Sequence, residues 1–247
     1  LHGMSPPAGT SVVVLGSEYA ISNEVATQVF NAAPGSPERV RLAGKNRYDT
    51  AARLAELVVA WDESGDQPVP VEPDTVYLAS GETYADALAG GAAAAWEYAP
   101  LLLTQAETLP KETEEALRAG GYSTVKILGS SATVSEAVAA RVASVLPAAD
   151  VVRYAGANRF ETAAMMNADA FGEIDAEIHL ASGINYPDAL AVAPRVNLTW
   201  GPTVLTLPSC LPAASADTIE ALAPWMVTAL GRSQTVSDAA LTGTVCP

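Results

Sequence analysis

The chain has 247 residues, 49% of them hydrophobic, and carries a formal charge of −15 from 13 Lys plus Arg against 28 Asp plus Glu. That length supports one large domain or two small ones with real cores, and no run approaches the roughly 18 apolar residues of a membrane helix. The acidic balance argues against nucleic acid as a partner, because binding a phosphate backbone needs a basic surface.

Residues 11–40 open on SVVVLG, a β-branched apolar run that ends in Gly16 and leads into a helical stretch. One strand and one helix cannot bury their own apolar faces. This piece is therefore a partial repeat that completes a full unit or remains from a third. RLAGKNRYDTAA follows, Arg41 to Ala52, with an arginine on either side of Gly44. Asn46 with Asp49 reads as a capping-box variant that opens a helix. In AARLAELVVAW that helix sets Leu54, Leu57, Val58 and Trp61 on one face. WDESGDQPVPVEPD, rich in proline and acid, reads as a surface loop. TVYLAS (75–80), LLLT (101–104) and VKILG (125–129) are short apolar runs suited to buried parallel strands. Pro110 is placed at the first helical position of KETEEALRAG. Thr133 with Glu136 reads as the cap of the next helix; Ala20 holds the same place in residues 11–40, so the cap there is expected to be lost.

From Arg153 the order returns. RYAGANRFETAA (Arg153 to Ala164) repeats the arginine motif, with Asn158 and Glu161 at the cap. LASGINYPDALA (Leu180 to Ala191) repeats LASGETYADALA (Leu78 to Ala89). An L-G motif recurs three times, with its glycine at Gly16, Gly129 and Gly231. Pro212 and the pair Thr235 with Asp238 match Pro110 and the pair Thr133 with Glu136. Ser80 to Ser182 and Gly129 to Gly231 both span 102 residues, whereas Arg41 to Arg153 spans 112; the extra ten lie in the acidic loop. The chain thus divides into a partial repeat at 11–40, a first full unit at 41–152 and a second at 153–247. Alternating strands and helices imply an α/β fold whose mainly parallel sheets are covered on both faces.

Chemistry concentrates in two motifs. Guanidinium groups bind carboxylate or phosphate in a bidentate fork, so Arg41, Arg47, Arg153 and Arg159 are candidates to hold an anionic group. They can equally serve structural pairs, and Arg47 and Arg159, beside the helix caps, are the better ligand candidates. In the second motif a strand ends at Ser80 and a helix starts shortly after, at the carboxyl edge where open α/β sheets bind ligands. Ser80, Tyr84 and Asp86, with Ser182, Tyr186 and Asp188 in the second copy, would line a polar pocket for a hydroxyl-rich ligand. The competing reading has Ser80 capping, Tyr84 packing and Asp86 favouring the helix dipole. His2 and His179 are the two histidines, and His179 falls in a strand pattern. No nucleophile–base set, phosphate loop or metal spacing recurs, so no cofactor is expected. Cys210 and Cys246 fit one disulfide in an oxidising compartment or two buried thiols.

RLAGKNRYDTAA, LASGETYADALA, PLLLT and VKILGS, with their looser second set, resemble the cell wall binding repeat type 2 family. Its signatures run R-x-x-G-x-x-R-[YF]-x-T-A, L-A-x-G-x-x-[YF]-x-D-A-L, P-L-L-L-T and V-x-I-L-G-G. The resemblance implies three-layer, Toprim-like α/β modules in secreted surface proteins of Gram-positive bacteria. It implies three modules in a pseudo-threefold ring that anchor an attached domain non-covalently to a wall polymer. By motif, the contacts fall at Arg41, Arg47, Tyr84 and Asp86 and at Arg153, Arg159, Tyr186 and Asp188. This sequence departs from the pattern with two units and a fragment, and with Ser17, Ser130 and Arg232 in place of the second glycine. The expectation is an extracellular, non-catalytic module whose partner is a cell-wall polymer or glycan. The alternatives are an adhesive module binding protein or itself, and a wall hydrolase using Asp86 or Asp188.

Overall fold

The computed structural model describes residues 11–33, 38–64, 73–172, 177–185, 187–199 and 201–247. Among the described residues strands and helices alternate, and every strand pairing is parallel. The α/β expectation with repeated modules holds.

Three sheets form. β1 (Ser11–Leu15) pairs with β2 (Glu38–Leu42), with α1 (Asn23–Ala32) between them. A four-stranded sheet takes the order β4-β3-β5-β6, from Leu101–Thr104, Thr75–Ser80, Thr124–Leu128 and Asp150–Tyr154. A three-stranded sheet takes the order β8-β7-β9, from Thr203–Thr206, Glu177–Ser182 and Met226–Ala229. The arginine motifs bridge these sheets. β6, which carries Arg153, completes the four-stranded sheet beside β5. The helix that follows it, α6 (Arg159–Phe171), packs on β8 and on α8 (Ala213–Leu222) of the next sheet. β2 and α2 (Arg47–Ser64) do the same one step earlier, with α2 lying on β4 and on α4 (Lys111–Gly120).

The core follows from this stagger. α3 (Ala85–Trp96) packs against both α6 and α7 (Pro187–Thr199). One apolar cluster runs from Leu88 and Ala92 through Leu128, Tyr154 and Met166 to Leu180, Val196 and Leu205. A second, under α2, α4 and α5 (Glu136–Val145), joins Ala52, Leu102, Leu117, Val125, Val138 and Val142. Each fully buried Leu or Val contributes about 1.5–3 kcal/mol relative to exposure. Lys126, in the middle of β5, is buried but not alone: Glu97 and Asp169 accept from its Nζ at 2.6 and 2.7 Å, and it sits 5.2 Å from the Tyr77 ring. His179, at the place of Tyr77, is a fully buried sheet residue as its strand pattern implies.

The caps confirm some expectations and shift others. Asn46 accepts from the Asp49 amide, and Asn158 from those of Phe160 and Glu161. The acids reach back one residue further than in the standard box: Asp49 accepts from the Lys45 amide and Glu161 from that of Ala157. Thr133 and Thr235 are not the caps. Ser135 accepts from the Val138 amide and Ser237 from that of Ala240, because the chain makes one more tight turn after the glycine before it enters the helix. Ser22 fills that role in residues 11–40, so the cap assigned to Ala20 is not lost. Pro110 and Pro212 sit at the cap position, one residue before the first helical one, since their φ and ψ are already extended. Of the face expected on α2, Leu57, Val58 and Trp61 lie outside the residues whose side chains are described; of the acidic loop, 65–72 lies outside the described residues. Cys210 and Cys246 form a disulfide that closes 36 residues and ties the C-terminal segment to Leu211.

Candidate functional site

The motif arginines bind backbone. Arg41, on β2, donates to the carbonyls of Gly16 and Ile21 at 2.7 and 2.9 Å. Arg153, on β6, donates to the matching carbonyls of Gly129 and Val134 at 3.0 and 2.8 Å and meets Glu136 at 3.2 Å. Each holds the loop after the neighbouring strand. Arg47 donates to the Gly81 carbonyl, and Arg159 to that of Gly183 at 2.7 Å. These grip the loop of the following sheet. One motif thus clamps two modules, which explains an arginine on each side of the glycine.

The second motif is also turned inward. The Ser80 hydroxyl accepts from the amides of Glu82 and Thr83, and Ser182 accepts from those of Ile184 and Asn185. Those amides, expected to face a ligand, are therefore occupied by their own turn. Asp86 lies against Gly129 and Thr133, and Asp188 against Gly231. The glycines have φ near +100° (100° and 99°), and a Cβ on either would collide with the carboxylate. Glycine is required on both counts. Burial pushes the Asp86 carboxyl above the usual range, with Arg159 and the Thr133 hydroxyl pulling part of the way back. Tyr84 caps α3 and reaches across to the second unit, where its hydroxyl donates to the Ile184 carbonyl at 3.0 Å. Tyr186 lies outside the described residues. The two Ser-Gly loops thus meet, while Asp86 and Asp188 each stay on a glycine of their own unit.

Among the described residues a hollow of about 490 Å³ is open, and sequence reasoning found only one of its walls. It lies between the loop after β1 (Leu15 to Ala20) and the start of α2, with Lys45, Asn46 and Arg47 at the rim and Thr50, Ala51 and Leu54 below. The corresponding space at the second junction is filled. There Leu128, Gly129, Thr133, Arg159 and Met166 stand where Leu15, Gly16, Ala20, Arg47 and Leu54 stand at the first, and α3 lies among them. Asp86 occupies the spot by Gly129 and Arg159. By Gly16, among the described residues, an added Cβ would have only the Ala20 methyl as a near neighbour. Arg47 was identified from the motif; Lys45, Ser17 and Leu54 were not, because only the folded junction brings them together.

The sequence profile of Cell wall binding domain 2 (CWB2) matches residues 41–139 and 153–241, more than half of the chain. The chain belongs to the cell wall binding domain 2 family. Family membership gives it a wall-binding role and a place at the cell surface. It is 28% identical over 183 residues to the N-acetylmuramoyl-L-alanine amidase LytC of Bacillus subtilis (strain 168), covering 74% of this chain and 32% of that one. It is 30% identical over 198 residues to the Amidase enhancer of the same organism, covering 80% of this chain and 25% of that one. The chain spans a third or less of the length of these relatives. Among solved structures it is similar to Cwp8 from Clostridium difficile, with a TM-score of 0.74, 22% identity, and 94% of this chain but 37% of that one covered. It is also similar to Cwp6 from Clostridium difficile, with a TM-score of 0.70, 23% identity and coverage of 81% and 30%. These structural likenesses establish the shared fold. No described helix is long and apolar enough to cross a membrane.

Proposed function

We propose that the chain is a non-catalytic module that holds a protein at the wall by binding an anionic group of a wall polymer in the hollow beside Arg47. The observation that carries this reading is the comparison of the two junctions. Among the described residues, corresponding side chains enclose a carboxylate, Asp86, at the second and line a hollow at the first. An acidic sugar or a phosphate entering the first hollow would meet the Arg47 guanidinium and the exposed Lys45 ammonium. Leu15 and Leu54 offer apolar surface to a sugar ring. Arg41, Arg153, Ser80 and Ser182 support this site by fixing the loops around it. The absence of catalysis is supported by the engagement of the acids: Asp86 is committed to Gly129, Thr133 and Arg159, and Asp188 to Gly231. The amidase activity in the name of LytC belongs to a protein of which this chain covers 32%.

Retention on purified cell walls tests the proposal. Lys45→Glu alters an exposed side chain that no described ion pair uses, so its melting temperature should match the parent's while retention falls at least fivefold. Arg141→Glu, outside the lining of the hollow and paired with Glu114, should leave retention unchanged. Equal retention of the Lys45→Glu and parent chains would remove the hollow from the account. Release of soluble muropeptides from the walls would refute the non-catalytic reading.

A further inference from the structure

Of the chain's three lysines, Lys45 and Lys111 are exposed and Lys126 is buried. Lys126 stands mid-strand on β5. Its Nζ donates to Glu97 at 2.6 Å and to Asp169 Oδ2 at 2.7 Å, and lies 3.4 Å from the Tyr77 hydroxyl. The Tyr77 and Tyr154 rings flank it at 5.2 and 6.0 Å. Tyr154 donates its hydroxyl to the same Asp169 oxygen at 2.7 Å. The repeat does not demand this set: at the matching places of the second unit stand Thr228 for Lys126, Thr199 for Glu97 and His179 for Tyr77. Nor does stability account for it, since desolvating buried ion pairs often costs more than their attraction returns.

An amine touching one carboxyl group, with a second carboxylate on the same nitrogen, is the reactant set of an amide-forming condensation. Asp169 rests ionised: burial raises its carboxyl, and hydrogen bonds from Lys126 and Tyr154 together outweigh burial. One proton passed from Nζ to Oδ2 along their contact gives a neutral amine beside a neutral acid. The buried, ring-lined surroundings of Nζ disfavour its charge and so ease that transfer. The nitrogen lone pair then attacks Cγ of Asp169, the atom next to the oxygen it already touches. Glu97 takes the second proton from nitrogen and returns it to the departing Oδ2 hydroxyl, whose release the Tyr154 hydroxyl assists. A C–N bond forms, a C–O bond breaks, one water leaves, and Glu97 ends as it began. The Asp169 side chain is 45% exposed, which gives the water a way out. The product carries no charge, so the desolvation cost of that pair goes with it.

We propose that Lys126 and Asp169 become joined by an amide bond that the folded chain makes itself, with Glu97 as the proton carrier. The bond ties β5, inside the four-stranded sheet, to α6, which packs on β8 and α8 of the next. It locks covalently the same junction that Arg153 and Arg159 clamp by hydrogen bonds.

The intact mass of the full chain, measured in denaturant with the Cys210–Cys246 disulfide reduced, tests this. The expected mass is one water below that of the sequence, and proteolysis should release a branched peptide joining Lys126 to Asp169. Lys126→Arg keeps a cation but brings no amine, and Asp169→Ala removes the acceptor carbon; both should show their full sequence mass. Glu97→Gln keeps the shape but cannot carry the proton, and should lose water at least tenfold more slowly during refolding, given what a positioned proton carrier contributes. The parent chain decides the matter whether or not the variants fold. Its full sequence mass, or a lost water with no Lys126–Asp169 branch, overturns the inference. A branch that forms at the parent's rate in Glu97→Gln overturns the role given to Glu97.

Discussion

At the residue scale, the two kinds of polar side chain in the repeats differ in what their burial does. Asp49 is held below the usual carboxylate range by the Lys45 amide and by Arg53, and burial opposes them less strongly. Asp86 goes the other way, because burial between α3 and Gly129 outweighs Arg159 and Thr133. The two therefore pull the pH dependence of stability in opposite directions. A lowered folded pKa gives stability that is present above the unfolded value of about 3.9 and is lost as pH falls. A raised one gives stability that is present below about 3.9 and is lost as pH climbs through the folded value. Asp86→Asn cannot ionise and keeps nearly the same shape. Its melting temperature should therefore gain on the parent's as pH rises from 3.5 to 7. A constant or shrinking difference in calorimetry would show that Arg159 fully compensates the buried charge. The residue types were legible from sequence, and so was the choice between roles, but not its answer. R-x-A-G-x-N-R states that arginines matter; only the fold shows that Arg41 and Arg153 reach backward to one loop and Arg47 and Arg159 forward to the next.

At the element scale, TVYLAS, LLLT and VKILG were readable as strands because β-branched, fully apolar runs have few alternatives in a chain with this spacing. The caps were less legible by a residue or two, since Ser, Thr and Asn crowd each candidate start and only local dihedrals select Ser135 over Thr133. Which strand pairs with which was not written in the repeat at all: the unit that recurs in sequence begins with a strand that belongs to the preceding sheet. The two L-G units also end differently. α5 runs ten residues and buries Val138, Val142 and Val145, whereas α9 (Asp238–Leu241) has four. The Cys210–Cys246 disulfide, with the Leu211 and Cys246 amides donating to Thr244 and Leu211, secures the segment where the longer helix is missing. Closing 36 residues constrains the unfolded chain by about 3–4 kcal/mol in the chain-entropy treatment. Reduction should accordingly lower the urea midpoint, and native-state hydrogen exchange should speed up at Leu211, Cys246 and β9 before it does at β3 or β5. Uniform acceleration across both sheets would mean that the molecule opens as one unit.

At the scale of the whole molecule, the acidic body and the cationic hollow act over different distances. The net charge of −15 lies about 20 Å from a polymer charge at the surface, given the roughly 18 Å radius of gyration of a chain of 247 residues. Unscreened in water this repels one unit charge by about 3 kcal/mol. Salt removes most of it: about half survives at 0.01 M, where the screening length is about 30 Å, and under a tenth at 0.15 M, where it is about 8 Å. Attraction by Lys45 and Arg47 acts at about 4 Å, within one screening length at both concentrations, and is worth up to about 4 kcal/mol per pair near a protein surface. By the same exponential it keeps about nine-tenths of its strength at 0.01 M, six-tenths at 0.15 M and a quarter near 1 M. For two such pairs the attraction lost between 0.01 and 0.15 M, about 2 kcal/mol, exceeds the repulsion removed, about 1.3 kcal/mol. Retention on walls with an anionic polymer should therefore fall as salt rises from 0.01 M towards 1 M, and Lys45→Glu should flatten that fall. A retention curve with no salt dependence would identify a neutral glycan as the ligand, and a rise between 0.01 and 0.15 M would mean that the acidic body of the protein outweighs the local cations.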